Sequence, residues 1–287
     1  MFKRIQQLFN KIGIPLRRFG SREAGGASGA RRATSTTPRY VLVLSGGGTR
    51  GFYTLGVLKA LEEAGLREQI DAIYGISVGA IIASYRASGR KAQDLFESFK
   101  DLNISPTNWL NLLPTKNFLK TKVLQERFKR DLPQTFEALK IPTYIGATDM
   151  NTAELIIFHE GKLLEPLLGS MALPGVFPSI KYQSYLLNDG GIIDNFPTTL
   201  AQQHYPNHKI IGVALNKFKE DKNPKNLIQT LITAYAIVMR KDLVQRSREI
   251  EISFYETIEC GILELDRKKR TKAFDQGYLS GKKIFGK

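Results

Sequence analysis

The chain is poor in sulfur and imidazole, with one cysteine, Cys260, and three histidines in 287 residues. A single cysteine excludes an internal disulfide framework. With so few soft ligands a zinc site would lean on carboxylates, and no ligand spacing for one is present. Cys260 therefore reads as an inert, reduced thiol. No apolar run reaches the roughly 18 residues of a membrane-spanning helix. The most hydrophobic late stretch, NLIQTLITAYAIVMRK, is broken by Gln229, Thr230 and Thr233 and reads as a packed helix. A secretory h-region is missing as well, because Gln6, Gln7, Asn10 and Lys11 interrupt the N-terminus.

Acid is scarce at both ends. Residues 1–39 carry nine Lys/Arg against Glu23 alone, and residues 266–287 carry eight against two aspartates. The net charge of +15 thus belongs to the ends, and the body between them is close to neutral. Neither end interleaves aromatics as a single-strand platform does, so no nucleic-acid partner is expected. Such ends suit an anionic membrane surface, at roughly 1 kcal/mol per basic residue. Phe2, Ile5, Phe9 and Ile12 have helical spacing, which fits either a short interfacial helix or a frayed basic arm. Residues 20–38, GSREAGGASGARRATSTTP, have too little apolar bulk to bury and read as a linker. The expected division is an arm and linker over 1–38 and a folded domain over 39–287. The expected location is cytoplasmic, free or peripheral at a membrane. An Arg-rich, acid-poor start leaves a targeting role open.

What is abundant is buried-strand and glycine pattern. YVLVLS, from Tyr40, is a continuous apolar strand of the kind covered on both faces. GFYTLGVLKALEEAG follows as a helix with Leu55, Leu58 and Leu61 inward and Gly65 as its stop. DAIYGIS and VGAIIASYRASG repeat the strand–helix order, which implies a parallel sheet. Residues 91–140, with Pro106, Pro114, Pro133 and Trp109, read as helical and irregular, capping one end of the sheet. YIGATDM and ELIIFHE read as strands turning at Asn151-Thr152, SYLLNDGG as a strand ending in a tight turn, and KIIGVALN as a further buried strand. Residues 162–173, 225–248 and 270–285 are mostly helical in pattern.

Two glycine motifs sit at strand–helix junctions. Gly46, Gly48 and Gly51 fit the dinucleotide fingerprint. That reading needs an acid at the end of the second strand. Asp71 begins its strand instead, and no Walker lysine is present. The second motif, Gly75-Ile76-Ser77-Val78-Gly79, is a nucleophile elbow, with small residues two away on either side so that strand and helix can approach. It would present the Ser77 hydroxyl at a helix N-terminus, with the Val78 amide facing the reacting oxygen. The glycine loop beside it then becomes a donor set: Gly47 and Gly48 offer unobstructed amides to an oxyanion. Arg50 either adds charge nearby or pins the loop on carbonyls. For the serine's base, Asp189-Gly190-Gly191 at a strand end is the leading carboxylate, with Asp149 and Asp194 as competitors. His204 and His208 precede a strand, at the end opposite its catalytic edge.

These residues resemble the patatin-like phospholipase family, in the ordered blocks Gly46–Gly51, Gly75–Gly79 and Asp189–Gly191, with SMALPGVFPSI and Asn195-Phe196-Pro197 as further likenesses. The resemblance implies a three-layer α/β/α sandwich with a mainly parallel sheet. It also implies a lipid acyl hydrolase acting on membrane phospholipid or another acyl lipid, with a Ser77–Asp189 dyad. Gly47, Gly48 and Arg50 would form or support the oxyanion hole, and no metal or organic cofactor is expected. Two rivals stand: a soluble carboxylesterase or thioesterase using His204, and a lipid-binding protein without turnover. Deleting residues 1–38 is expected to weaken binding to anionic vesicles while hydrolysis of a soluble ester persists. Unchanged flotation with such vesicles would rule out the arm as the membrane contact.

Overall fold

A computed structural model describes residues 38–101, 114–174, 176–215, 227–240 and 243–286. The arm and linker expected over 1–38, save its last residue, and the Trp109 stretch lie outside the described residues.

β1 (Tyr40–Leu44) runs through the middle of an eight-stranded sheet, and all five of its residues are buried. Its alternation explains why an unbroken apolar run is needed. Leu42 and Leu44 enter the larger core, and Val41 and Val43 point the other way, into a second core with Phe196 and Ile210. The β-loop-α units expected from the sequence follow: α1 (Gly51–Glu63), β2 (Ile70–Ile76), α2 (Val78–Ala87) and α3 (Ala92–Lys100). Gly65 and Gly89 stop the first two helices with φ of 71° and 103°, a conformation that suits glycine. α4 (Pro114–Asp131) begins at a proline, which is tolerated in a first helical turn.

The chain continues through β3 (Thr143–Asp149), β4 (Glu154–Phe158), α5 (Leu164–Ser170), β5 (Ile180–Tyr182) and β6 (Tyr185–Asp189). After these come α6 (Thr198–His204), β7 (Lys209–Val213), α7 (Leu227–Met239), α8 (Leu243–Arg248), β8 (Ile252–Phe254) and α9 (Arg267–Phe285). The strand order is β5-β6-β3-β2-β1-β7-β8, with β4 also on β3. Strands β3, β2, β1, β7 and β8 are mutually parallel, and the antiparallel pairs all lie at the β3 end. β5, β8 and α6 were not anticipated; each is short, and a short element carries little periodicity.

One pairing decides where the site falls. Thr143–Gly146 of β3 pair with β2, and Ala147–Asp149 pair with β6. β4 pairs with Ile145–Asp149, overlapping both stretches, so it occupies the opposite edge. β2 and β6 therefore share one edge of β3 and run toward each other, with Ile76 opposite Gly146 and Asp189 opposite Ala147.

The basic C-terminal segment is no free tail. α9 packs on α1 through small residues: a Cβ on Gly277 would come within 2.0 Å of the Tyr53 carbonyl oxygen, and one on Gly56 within 2.0 Å of that of Phe274. Arg270 is buried, donating to the Glu264 and Lys100 carbonyls, and Lys282 pairs with Glu63. Helix propensity alone would make Gly277→Ala stabilising by about 1 kcal/mol. The backbone contact reverses the sign. The variant is expected to lose about 1–3 kcal/mol by overpacking, read as a lower urea midpoint at unchanged m-value.

Candidate active site

The elbow is strained at its serine. Ser77 has φ 55° and ψ −121°, a region that costs of order 1–3 kcal/mol for a residue with a Cβ. The two flanking glycines allow the turn. A Cβ on Gly75 would lie 2.6 Å from the Ala80 Cα, and one on Gly79 would lie 2.1 Å from the Leu44 carbonyl oxygen. The Ser77 amide donates to the Ser170 hydroxyl at 2.9 Å, which donates in turn to the Gly146 carbonyl at 2.6 Å. Ser170 thus ties the elbow to the point on β3 where β2 gives way to β6.

The glycine loop is held from several directions. Asn195 accepts from the Gly46 amide at 3.0 Å and donates back to the Gly46 carbonyl at 3.3 Å. Thr49 donates its amide to the Ile262 carbonyl at 2.8 Å and accepts from the Glu264 amide. Arg50 donates to the Cys260 carbonyl at 2.9 Å and to the Leu215 carbonyl at 3.4 Å, and its side chain is not part of the cavity wall. Of the two roles open to Arg50, the geometry is that of pinning the loop. Burial pushes its pKa down. A Cβ on Gly46 would touch the Ser77 Cβ at 3.0 Å, and one on Gly51 would meet the Val78 side chain at 2.5 Å, so loop and elbow are in contact. Among the described residues the amides of Gly47, Gly48 and Val78 have no hydrogen-bond acceptor. For Val78 this follows from its place at the first turn of α2.

Asp189 closes the site. It is buried, and it accepts from the Gly191 amide at 2.9 Å. A Cβ on Gly190 would lie 2.5 Å from the Gly146 carbonyl oxygen, so this turn needs its glycine to lie against β3. Burial raises the carboxyl, while the Ser77 hydroxyl, the Gly191 amide and the Tyr235 hydroxyl favour its charged form; the outcome is a pKa of about 6. Tyr235, on α7, was missed by sequence reasoning. Its buried hydroxyl makes no well-aligned hydrogen bond, yet it stands over Gly191, 2.9 Å from where a Cβ would be. Asn195 and Ser170 lay in blocks that carried the family resemblance, and no local pattern pointed to their roles.

Ser77, Asp189, Gly47, Gly48, Val78 and Tyr235 line one cavity of about 180 Å³. Away from them its wall is mostly apolar, built by Leu55 of α1, Ile81 and Ile82 of α2, Leu95 and Phe99 of α3, and Phe128 of α4, with Thr49, Glu264 and Arg270 as further polar lining. No histidine lines it. His204 bonds the Tyr74 hydroxyl at 2.7 Å on the side of the second core, and His208 bonds Asp71 at 2.8 Å at the start of β2. Asp71 also pairs with Arg39, at the edge where no dinucleotide ribose could meet it. The competing acids are engaged elsewhere. Asp149 caps its own turn and accepts from the Leu186 amide, and Asp194 pairs with Arg246 and the Phe196 amide.

A strand–elbow–helix unit, a clamped glycine loop and a buried Asp-Gly-Gly turn on one three-layer α/β/α scaffold define the class of fold to which known proteins can be compared. The patatin-like phospholipase family model matches residues 42–201, and the chain belongs to that family. Human patatin-like phospholipase domain-containing protein 6 is 30% identical over 317 residues, covering 99% of this chain and 22% of that protein. An uncharacterized NTE family protein of Mycobacterium bovis is 33% identical over 169 residues, covering 57% of this chain and 45% of its own length. The chain thus spans less than half the length of these relatives. VipD of Legionella pneumophila is similar in fold, with a TM-score of 0.52 at 15% identity over 86% of this chain and 66% of that one.

A carboxyl at about 6 when folded and about 4 when unfolded makes the folded state bind the extra proton between those values. Its contribution to stability is then most favourable below about pH 4 and is lost as pH rises through about 6. Asp189→Asn is expected to stabilise the fold by up to about 3 kcal/mol at about pH 8 and hardly at all at about pH 4. Urea unfolding at both pH values checks this; a less stable variant at the higher pH contradicts it.

Proposed function

We propose that the chain is a serine lipid acyl hydrolase of the phospholipase A type, cleaving fatty-acyl esters of membrane lipids. The observation that carries this reading is one cavity holding a strained Ser77, a buried Asp189 and a long apolar wall, with no histidine among its lining residues. Asp189 accepts the Ser77 proton as the serine oxygen attacks the acyl carbonyl. At a pKa of about 6 it is ionised near neutrality yet basic enough to take a proton. The carbonyl oxygen becomes an oxyanion and receives the amides of Gly47, Gly48 and Val78. Each such donor is worth about 3 kcal/mol of barrier. Arg50, Thr49 and Asn195 keep the loop in place, so those amides need no reorganisation.

Collapse of the tetrahedral adduct breaks the bond to the leaving alcohol. Asp189 returns the proton to that alcohol oxygen, leaving an acyl-serine. Water then attacks the acyl carbon with Asp189 taking a proton, and collapse breaks the acyl–Oγ bond as Asp189 returns that proton to Oγ, giving fatty acid and free Ser77. The acyl chain occupies the wall formed by α1, α2, α3 and α4. Its burial, at about 0.8 kcal/mol per methylene, supports a lipid over a short-chain ester. Among the described residues no helix is long and apolar enough to cross a membrane. Contact with the bilayer is therefore assigned to the surface, with the N-terminal arm as the basic element.

A fluorophosphonate probe is expected to label the wild type and His204→Ala, and to leave Ser77→Ala unlabelled. Fatty-acid release from mixed phospholipid vesicles should vanish with Ser77→Ala and survive His204→Ala. Loss of activity in His204→Ala would restore the triad esterase. Failure of the folded wild type to label would make this a lipid-binding protein on a hydrolase scaffold.

A further inference from the structure

A second, polar cavity lies at the other end of the sheet, where β1, β2 and β3 begin. Its wall is Arg39, Arg67, Glu68, Asp71, Arg86 and Lys140, with Gly89 and three apolar residues. Asp71 and Ser77 are six residues apart on one extended strand, which puts this cavity about 20 Å from the nucleophile. It is a separate place, with different chemistry.

Arg86 is its floor. The side chain is 1% exposed, on the far turn of α2, and its Nε and Nη2 atoms are buried without a hydrogen-bond partner. Glu62 stands 3.5 Å from Nε, but its two oxygens are directed to the Ala92 amide. Burying a guanidinium with unmet donors is costly unless something supplies acceptors. Two more cations converge on the same turn. Arg67 donates to the Gly89 carbonyl at 2.8 Å, and the Lys140 amine lies 2.9 Å from where a Cβ of Gly89 would be. After burial, the nearness of Arg67 is the next largest influence lowering the Arg86 pKa, so the like charges repel across the cavity.

Beyond the single ion pair with Glu62, the carboxylates nearby are engaged elsewhere or in solvent. Asp71 is held between Arg39 and His208. The Glu68 side chain is 91% exposed and only 3.9 Å from Arg67, in reach of water. Arg67, Arg86 and Lys140 thus face an open space, three cations against the one half-buried carboxylate of Glu62 that pairs with Arg86. Guanidinium donors in a fork, beside a point-charge amine, match the oxygens of a phosphate group.

We infer that this cavity is an anion site for a small soluble phosphate or phosphomonoester, bound by Arg86, Arg67 and Lys140 at the opposite end of the sheet from Ser77. A ligand that binds only the folded chain raises its unfolding temperature.

The test is thermal unfolding of the full chain in increasing inorganic phosphate, against chloride at matched ionic strength. Wild type should show a saturable rise with phosphate that chloride does not reproduce. Lys140→Met, a change at an exposed position, should weaken the apparent affinity about tenfold, the loss of one charge-assisted hydrogen bond. Arg86→Met should remove the response if it folds, and Lys140→Met carries the test if it does not. Phosphate and chloride acting alike, or a phosphate response unchanged in Lys140→Met, would overturn the site. A parallel flotation with phosphatidic acid vesicles separates the sources. Vesicle binding that depends on Lys140, with no response to free phosphate, would assign the cations to a lipid headgroup and refute a soluble ligand.

Discussion

Everything at the site depends on the way one edge of β3 is divided. Two strands compete for that edge, and neither takes all of it. β2 takes the first half in parallel, and β6 takes the second half running the other way. Their ends face each other, one carrying Ser77 just beyond its last residue and the other ending on Asp189. A serine and a carboxylate separated by more than a hundred residues are thus delivered to one spot by backbone hydrogen bonds, which are short-ranged and fixed in register. A slip of one residue in either strand would turn its side chains to the other face of the sheet. Gly146 sits at the junction and its carbonyl anchors Ser170, so the seam is pinned as well as aligned.

The same seam sets the electrostatics. Where two strand ends abut, the carboxylate between them is buried, accepts from one amide and has hydroxyls but no cation beside it. A salt bridge would have kept the acid ionised and weakly basic. Burial without one leaves it poised, at a cost to the fold. The serine's backbone adds to that cost in a second currency, conformational strain. The rest of the sheet, with apolar residues on both faces of β1, supplies the stability against which these local losses are set.

Much of this was legible in the chain. The glycines around Ser77 announce the elbow because only small residues let a strand and helix meet so closely, and the contacts of Gly75 and Gly79 are of that kind. Asp189 was legible from its paired glycines. Arg50 was visible as a residue with two candidate roles, and the carbonyls it meets distinguish them. Tyr235, Asn195 and Ser170 were not legible in role, because what matters is a partner 149 residues away for Asn195 and 93 for Ser170. No local pattern encodes such pairs. The C-terminal helix was legible, but its packing was not: net charge records how many cations a segment holds, whereas burial of Arg270 depends on which carbonyls surround it.

The loop that faces Ser77 is completed from the far end of the chain. Cys260, Gly261 and Ile262 provide the carbonyls that hold Thr49 and Arg50, although the family's matching region closes at residue 201. During synthesis the ribosome releases serine, carboxylate and glycines long before it releases that strap. A nascent chain therefore carries Ser77 and Asp189 while the scaffold of the glycine loop is unfinished, because the loop's carbonyl partners end at residue 262. Order of translation thereby separates the making of the elbow and the Asp-Gly-Gly turn from the completion of the loop that faces them.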